Sequence, residues 1–139
     1  MISRIDYQKL SWVDILNPSS EDVVRLTKEF ELNSSVAEEL LRPSFRPRAE
    51  HFGSHCHVIL HLPIFEPEKK SHRSMELDLV LGRNFLVSVH YGAIGPLTEF
   101  FNELDLNIAL RERVFGQDVH KIVYYLWRRL YENLFAELD

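Results

Sequence analysis

A chain of 139 residues, 45% hydrophobic and 27% charged, is long enough for one globular core and too apolar for a disordered or fibrous polymer. Its formal net charge of -5, with the basic residues dispersed, disfavours phosphate-backbone binding, so no nucleic-acid partner is expected. A single cysteine, Cys56, excludes an internal disulfide and fits a reducing compartment, and its apolar neighbours predict a core position. Met1-Ile2-Ser3-Arg4-Ile5-Asp6 lacks the apolar stretch of a secretory signal, and no apolar run approaches the ~20 residues that cross a bilayer. The polypeptide by itself is therefore expected to be soluble and cytosolic.

Apolar alternation from Ile2 to Tyr7 and from Trp12 to Leu16 predicts two neighbouring strands. Asn17-Pro18 then predicts a helix start, since Asn caps free amides and Pro fits the first helical position; Val23, Val24, Leu26 and Phe30 supply its buried stripe. Ser35-Val36-Ala37-Glu38 has capping-box spacing and predicts a second helix that turns Val36, Leu40 and Leu41 inward and ends at Pro43 and Pro47. Between His55 and Phe65 the pattern is a strand, with Cys56, Val58, Leu60, Leu62 and Ile64 in one phase and His55, His57, Ile59 and His61 in the other. A polar loop from Glu66 to Ser74 follows. Met75, Leu77, Leu79 and Leu81 then alternate with Glu76, Asp78 and Val80, and Gly82-Arg83-Asn84 reverses the chain into Phe85 to Tyr91 as an antiparallel hairpin.

The remainder reads as helical. Gly95-Pro96 opens a segment with Leu97, Phe100, Phe101 and Leu104 at helical spacing, and Gly116-Gln117-Asp118 precedes a last helix of about 22 residues, ~33 Å long. Ile122, Val123, Leu126, Trp127, Leu130 and Leu134 form its apolar face. No Gly or Pro stops it, and Glu137 and Asp139 put negative charge where the macrodipole prefers positive. The expectation is a helix that continues and a chain that is a fragment or an excised domain. The fold class predicted is α/β: a mixed sheet of about five to seven strands flanked by helices, an αβα sandwich, with the start of a long C-terminal stalk helix.

Among chemically capable residues, His55, His57 and His61 share a strand face with His51 upstream, and imidazoles on one face are candidate ligands for zinc. Residues four apart on a strand are ~13 Å apart, so packing of these rings under a helix or at the wet border of the sheet is the competing reading. Glu66 and Glu68 are hard oxygen donors of the kind magnesium takes one or two of, and by pattern alone are loop acids. Ser88 and His90 share a face, but no Gly-x-Ser-x-Gly elbow or phosphate-cradling Gly loop accompanies them, and no enzymatic activity is expected. Arg46 and Arg48 are read as pairing with Glu50 or fixing the turn into the sheet. Trp12 is read as a packing residue, with Asp14 on the opposite strand phase.

Ser11-Trp12-Val13-Asp14-Ile15-Leu16-Asn17-Pro18, followed at the right spacing by Phe45-Arg46-Pro47-Arg48-Ala49-Glu50-His51-Phe52, resembles the opening of the cytosolic domain of CorA-type divalent-cation transporters. Tyr124-Tyr125-Leu126-Trp127 and Leu130-Tyr131-Glu132-Asn133-Leu134 resemble the start of that family's stalk helices; its membrane spans and Gly-Met-Asn signature are not in this sequence. The resemblance implies that residues 1–139 are a CorA-like cytoplasmic domain lacking most of the stalk and all transmembrane helices. It implies an ion-sensing, regulatory role for Mg2+, with Co2+ as a second ion, on the cytoplasmic face of the inner or plasma membrane. It further implies a homo-pentamer, contact with the membrane only through the missing C-terminal part, and weak metal binding by Glu66 and Glu68 as half of a site completed by a neighbouring subunit. The alternatives are a zinc-transporting relative using His55, His57 and His61, or a freestanding metal-dependent hydrolase or interaction domain.

Overall fold

The computed structural model describes residues 1–44 and 46–135. Among these, six strands and five helices follow in the order β1 (Ile2–Tyr7), β2 (Leu10–Leu16), α1 (Ser20–Phe30), α2 (Ser34–Leu40), β3 (Arg48–His51), β4 (His55–Glu66), β5 (Ser71–Gly82), β6 (Phe85–His90), α3 (Gly95–Leu106), α4 (Ile108–Phe115) and α5 (Val119–Leu134). The strands form one sheet in the order β1-β2-β6-β5-β4-β3, parallel between β2 and β6 and antiparallel elsewhere. This is the mixed α/β sheet expected from the alternation.

Strand β6 and the second half of β5 are buried in both phases, and β2 largely so, because helices cover both faces. Val13, Ile15, Val80, Val87 and Val89 meet Val23 and Leu26 of α1 and Val36 and Leu40 of α2. On the other face Trp12, Leu77, Leu79 and Leu86 meet the apolar stripes of α3, α4 and α5. The indole of Trp12 is fully buried against Phe100 and Phe101, with ring centroids 5.8 and 5.0 Å away. Arg129 of α5 donates to Glu103 of α3 at 2.8 Å and ties the last helix to the layer.

Several boundaries differ from the sequence expectation, each for a local reason. Asn17 does not cap α1: it takes a left-handed φ of 53°, because the residue before Pro18 is kept out of the helical region. Ser19 is the cap, and it forms a reciprocal box with Asp22, each side chain bonding the other's backbone N–H at 3.1 Å. Ser19→Ala is expected to lower stability by about 1 kcal/mol in chemical unfolding, with the slope on denaturant unchanged. Asn33, not Ser35, caps α2, its Oδ1 accepting from the Ser35 backbone at 2.9 Å. Val24 and Leu41 face solvent, and Cys56 is only half-buried. The polar loop shrinks to residues 67–70, because β4 and β5 pair as far as Glu66 and Ser71. A further helix, α4, capped by Asn107, stands between the two helices that the sequence predicted. Glu137 and Asp139, on which the unfinished-helix reading rests, lie outside the described residues.

Candidate functional site

Period-two alternation on β4 puts His55, His57 and His61 on the face covered by α1 and α2, as expected, but the structure gives each ring a separate partner. His55 is buried, with Nε2 accepting from the Asn33 backbone at 3.1 Å and Nδ1 lying 2.9 Å from Ser54 Oγ. Burial, then the charges of His57 and His51, lower its pKa. His57 is also buried, with Nε2 2.8 Å from Asp78 Oδ2 and Nδ1 3.6 Å from Glu39 Oε2. Burial, then the Arg48 charge, bring its pKa down to about 4 against Glu76 and Glu50. His61 stands opposite Glu76 in the β4–β5 ladder, with Nε2 3.7 Å from Glu76 Oε1. The first two rings are therefore packed residues, and only His61 faces a cleft.

Glu66 and Glu68 lie at the β4–β5 turn. Glu66 Oε1 accepts from Arg73 at 2.6 Å with Lys69 3.5 Å from Oε2, and these contacts, Arg73 foremost, hold its pKa below the usual carboxylate value. Glu68 is exposed at the turn. Among the described residues no three His, Cys, Asp or Glu side chains are already gathered around one point that could hold an ion.

The carboxyls that sequence reading missed are Glu76 and Asp78, together with Glu39. Glu76 and Asp78 occupy the polar phase of β5, which reads as solvent-facing until β5 is known to be internal and roofed by α2 and the segment after it. Both are buried, Glu76 at 8% exposure and Asp78 at 0%. Glu76 Oε1 accepts from the Ser44 backbone at 2.6 Å. Burial, then the hydrogen bond and charge of Asp78, push Glu76 up to about 8; burial also pushes Asp78 up to about 6, against the hydrogen bond to Glu76 and the Arg48 charge. Glu39, on α2, pairs with Arg48, which also lies 4.0 Å from Glu50. A cleft of about 440 Å³ opens over Glu76 and His61, bordered by Ser44, Arg73 and Tyr91.

A second polar chain crosses the other side of the sheet. Trp12 Nε1 donates to Ser88 Oγ at 2.9 Å, Ser88 donates to Asp14 Oδ1 at 2.5 Å, and His90 Nε2 lies 3.0 Å from Asp14 Oδ2. Trp12 and Asp14 thus share one strand phase, two residues apart, which corrects the opposite-phase reading. His90 also donates Nδ1–H to the Gly92 carbonyl at 2.8 Å. Burial works against its charge, but Asp14 and the Gly92 carbonyl outweigh it, and its pKa is raised. Ser88 and His90 each meet Asp14 instead of each other, so the geometry is that of a fastening between β2 and β6 and not of a nucleophile with its base.

Residues 7–139 match the family model described as CorA-like Mg2+ transporter protein. The chain belongs to the CorA-like Mg2+ transporter family. Its fold is that of the soluble domain of CorA from Methanocaldococcus jannaschii, at 20% identity and a TM-score of 0.72 over 89% of this chain and 48% of that one. The complete CorA magnesium transporter from the same organism matches at 19% identity and a TM-score of 0.67, over 92% of this chain and 39% of that one. The ZntB cytoplasmic domain from Vibrio parahaemolyticus RIMD 2210633 matches at 15% identity and a TM-score of 0.70, over 96% of this chain and 52% of that one. This CorA-like chain therefore spans about half the length, or less, of the structures it resembles. No curated protein matches it. Among the described residues no helix is long and apolar enough to cross a membrane.

Proposed function

We propose that this CorA-like chain is the cytosolic ion-sensing head of a divalent-cation transporter for Mg2+ and Co2+, at the cytoplasmic face of the membrane, with no covalent chemistry of its own. The family match along residues 7–139 carries the reading. In a homo-pentamer, Glu66 and Glu68 would give half of a regulatory site and a stalk carboxylate of the next subunit, beyond Asp139, the other half. An ion arriving at Glu66 must displace Arg73 and Lys69, which agrees with weak binding and with sensing at millimolar concentration. Ion binding between subunits would favour a closed ring, and ion loss would release it, through unequal affinity for the two arrangements.

The test is uptake into vesicles by the protein encoded with whatever follows Asp139 in its reading frame. Two apolar spans near the end, with Gly-Met-Asn closing the first, are expected there. Paired substitution of Glu66 and Glu68 by alanine should raise the internal Mg2+ that halts uptake by about fivefold or more. Unchanged inhibition would remove these two residues from sensing, and absence of Mg2+ or Co2+ uptake would remove the transport reading itself.

A further inference from the structure

We propose that the outer edge of β3 is a pairing surface for a second copy of this chain, the two edges meeting antiparallel about a two-fold axis at Ala49. β3 stands last in the sheet, and all of its residues are exposed. The hairpin that joins it to β4 settles which of its backbone groups are free. Phe52 N donates to His55 O at 2.8 Å, so Phe52 turns its N–H toward β4. Alternation along the strand then turns the backbone groups of Glu50 and Arg48 toward β4 as well, and those of Ala49 and His51 outward. Among the described residues no strand receives these outward groups. Such a row is a template for another strand.

The sequence around Ala49 complements itself in that register. With Ala49 opposite Ala49 of the second copy, each donates its N–H to the other's carbonyl. Arg48 then stands opposite Glu50 of the second copy, and Glu50 opposite its Arg48. These flanking positions are the non-hydrogen-bonded pairs, where side chains come closest and opposite charges attract. His51 falls opposite Pro47, whose carbonyl accepts from His51 and whose missing N–H ends the ladder there. Sliding by two residues, the next register that keeps the bonding, sets Glu50 against Glu50 or Arg48 against Arg48. Like charges therefore exclude the neighbouring registers.

The opposite edge of the sheet is less available. On β1, Arg4 donates from Nε to Asp6 and from both terminal nitrogens to Glu29, and Asp6 also accepts from Ser11. On β3, Glu39 holds one terminal nitrogen of Arg48, while Glu50 lies 4.0 Å from it, beyond a hydrogen bond, with its side chain 53% exposed. The strand is short, so the contact belongs with weak, reversible interfaces. A two-fold contact joins a surface to itself and cannot close a five-membered ring, so this edge is separate from the ring contacts of the proposed pentamer and would join free domains or two rings.

The experiment is sedimentation equilibrium of the 139-residue protein from about 20 µM to about 1 mM, with amide hydrogen exchange by NMR at both ends of the range. The expected result is a monomer–dimer equilibrium in which the Ala49 and His51 amides gain protection of about twofold or more with concentration, while the Arg48 and Glu50 amides, already bonded to β4, do not change. Ala49→Pro removes an N–H that serves no bond within the sheet, at an edge position that tolerates proline, so it should leave the melting temperature unaltered and abolish the dimer. Glu50→Arg sets like charges opposite each other and should weaken association about tenfold or more. The exchange pattern is read in the parent protein, so the result does not depend on either variant folding. A protein that stays monomeric throughout, association that survives Ala49→Pro, or protection that arises instead around the exposed Tyr124, Trp127 and Tyr131 of α5 overturns the surface. None of these results bears on Mg2+ uptake, so the transport reading is judged separately.

Discussion

Trp12→Ala is expected to lower the unfolding free energy by about 4 kcal/mol, read from urea titration with an unchanged denaturant slope. The indole is fully buried, packs against two rings of α3, and is the donor to Ser88. Its removal opens a void between sheet and helix and leaves the serine oxygen without that donor. Trp12→Phe keeps most of the packing and forfeits the N–H, so a loss of roughly 1–2 kcal/mol is expected. A loss below about 1 kcal/mol in the alanine variant would show that α3 collapses onto the sheet and that the indole is not a keystone of the layer.

Asp14→Asn is expected to cost about 3 kcal/mol at pH 6, and less as the pH rises. The carboxylate faces a His90 ring that is buried at 2% exposure and donates from both nitrogens, so its removal strands a buried cation or forces its deprotonation. Asp14 raises the folded pKa of His90 above the unfolded value of 6.5. The folded state therefore binds the proton more tightly, and this stabilisation is complete below about pH 6.5 and fades as pH rises through the folded value. The gap between parent and variant should accordingly be widest near pH 6 and narrow toward pH 9 in parallel urea titrations. His57, Glu76 and Asp78 lie on the opposite face of the sheet and titrate alike in both proteins, so they cancel in the difference. A gap independent of pH would show that His90 is neutral.

What could be read from the sequence follows from how each residue announces its environment. The β4, β5 and β6 alternation, the Gly82 reversal and the Pro96 helix start were legible because packing on two faces leaves a period in the residues. The packing role of Trp12 was legible because a large indole on a short strand has to be inside, whereas the family was legible only as a resemblance of the stretches around Trp12 and Arg46-Pro47-Arg48. β3 was not predicted, because all four of its residues are exposed and an edge strand has no apolar face to display. The cap of α1 was misplaced by two positions since Asn17 satisfies the same propensity as Ser19, and only the constraint imposed by Pro18 separates them. The carboxyls of the candidate site were hidden by the same alternation that revealed their strand. Glu76 and Asp78 look like the wet side of a sheet, and what buries them is α2 and its exit, docked from more than thirty residues earlier by the bond from Ser44.

The parallel pairing of β2 with β6 sets the order in which the molecule can be made. Ser11 registers with Phe85 and Leu16 with His90, so the N-terminal hairpin has no neighbour to receive it while the intervening chain is still being translated. Until β6 leaves the ribosome the β2 edge of that hairpin stays unpaired, and Trp12 stays uncovered until Phe100 and Phe101 of α3 follow. Distant pairing of this kind slows folding and lengthens the window for aggregation. The first hairpin to be synthesised is thus the last to be seated, and its nascent form is the one that chaperones would have to shield.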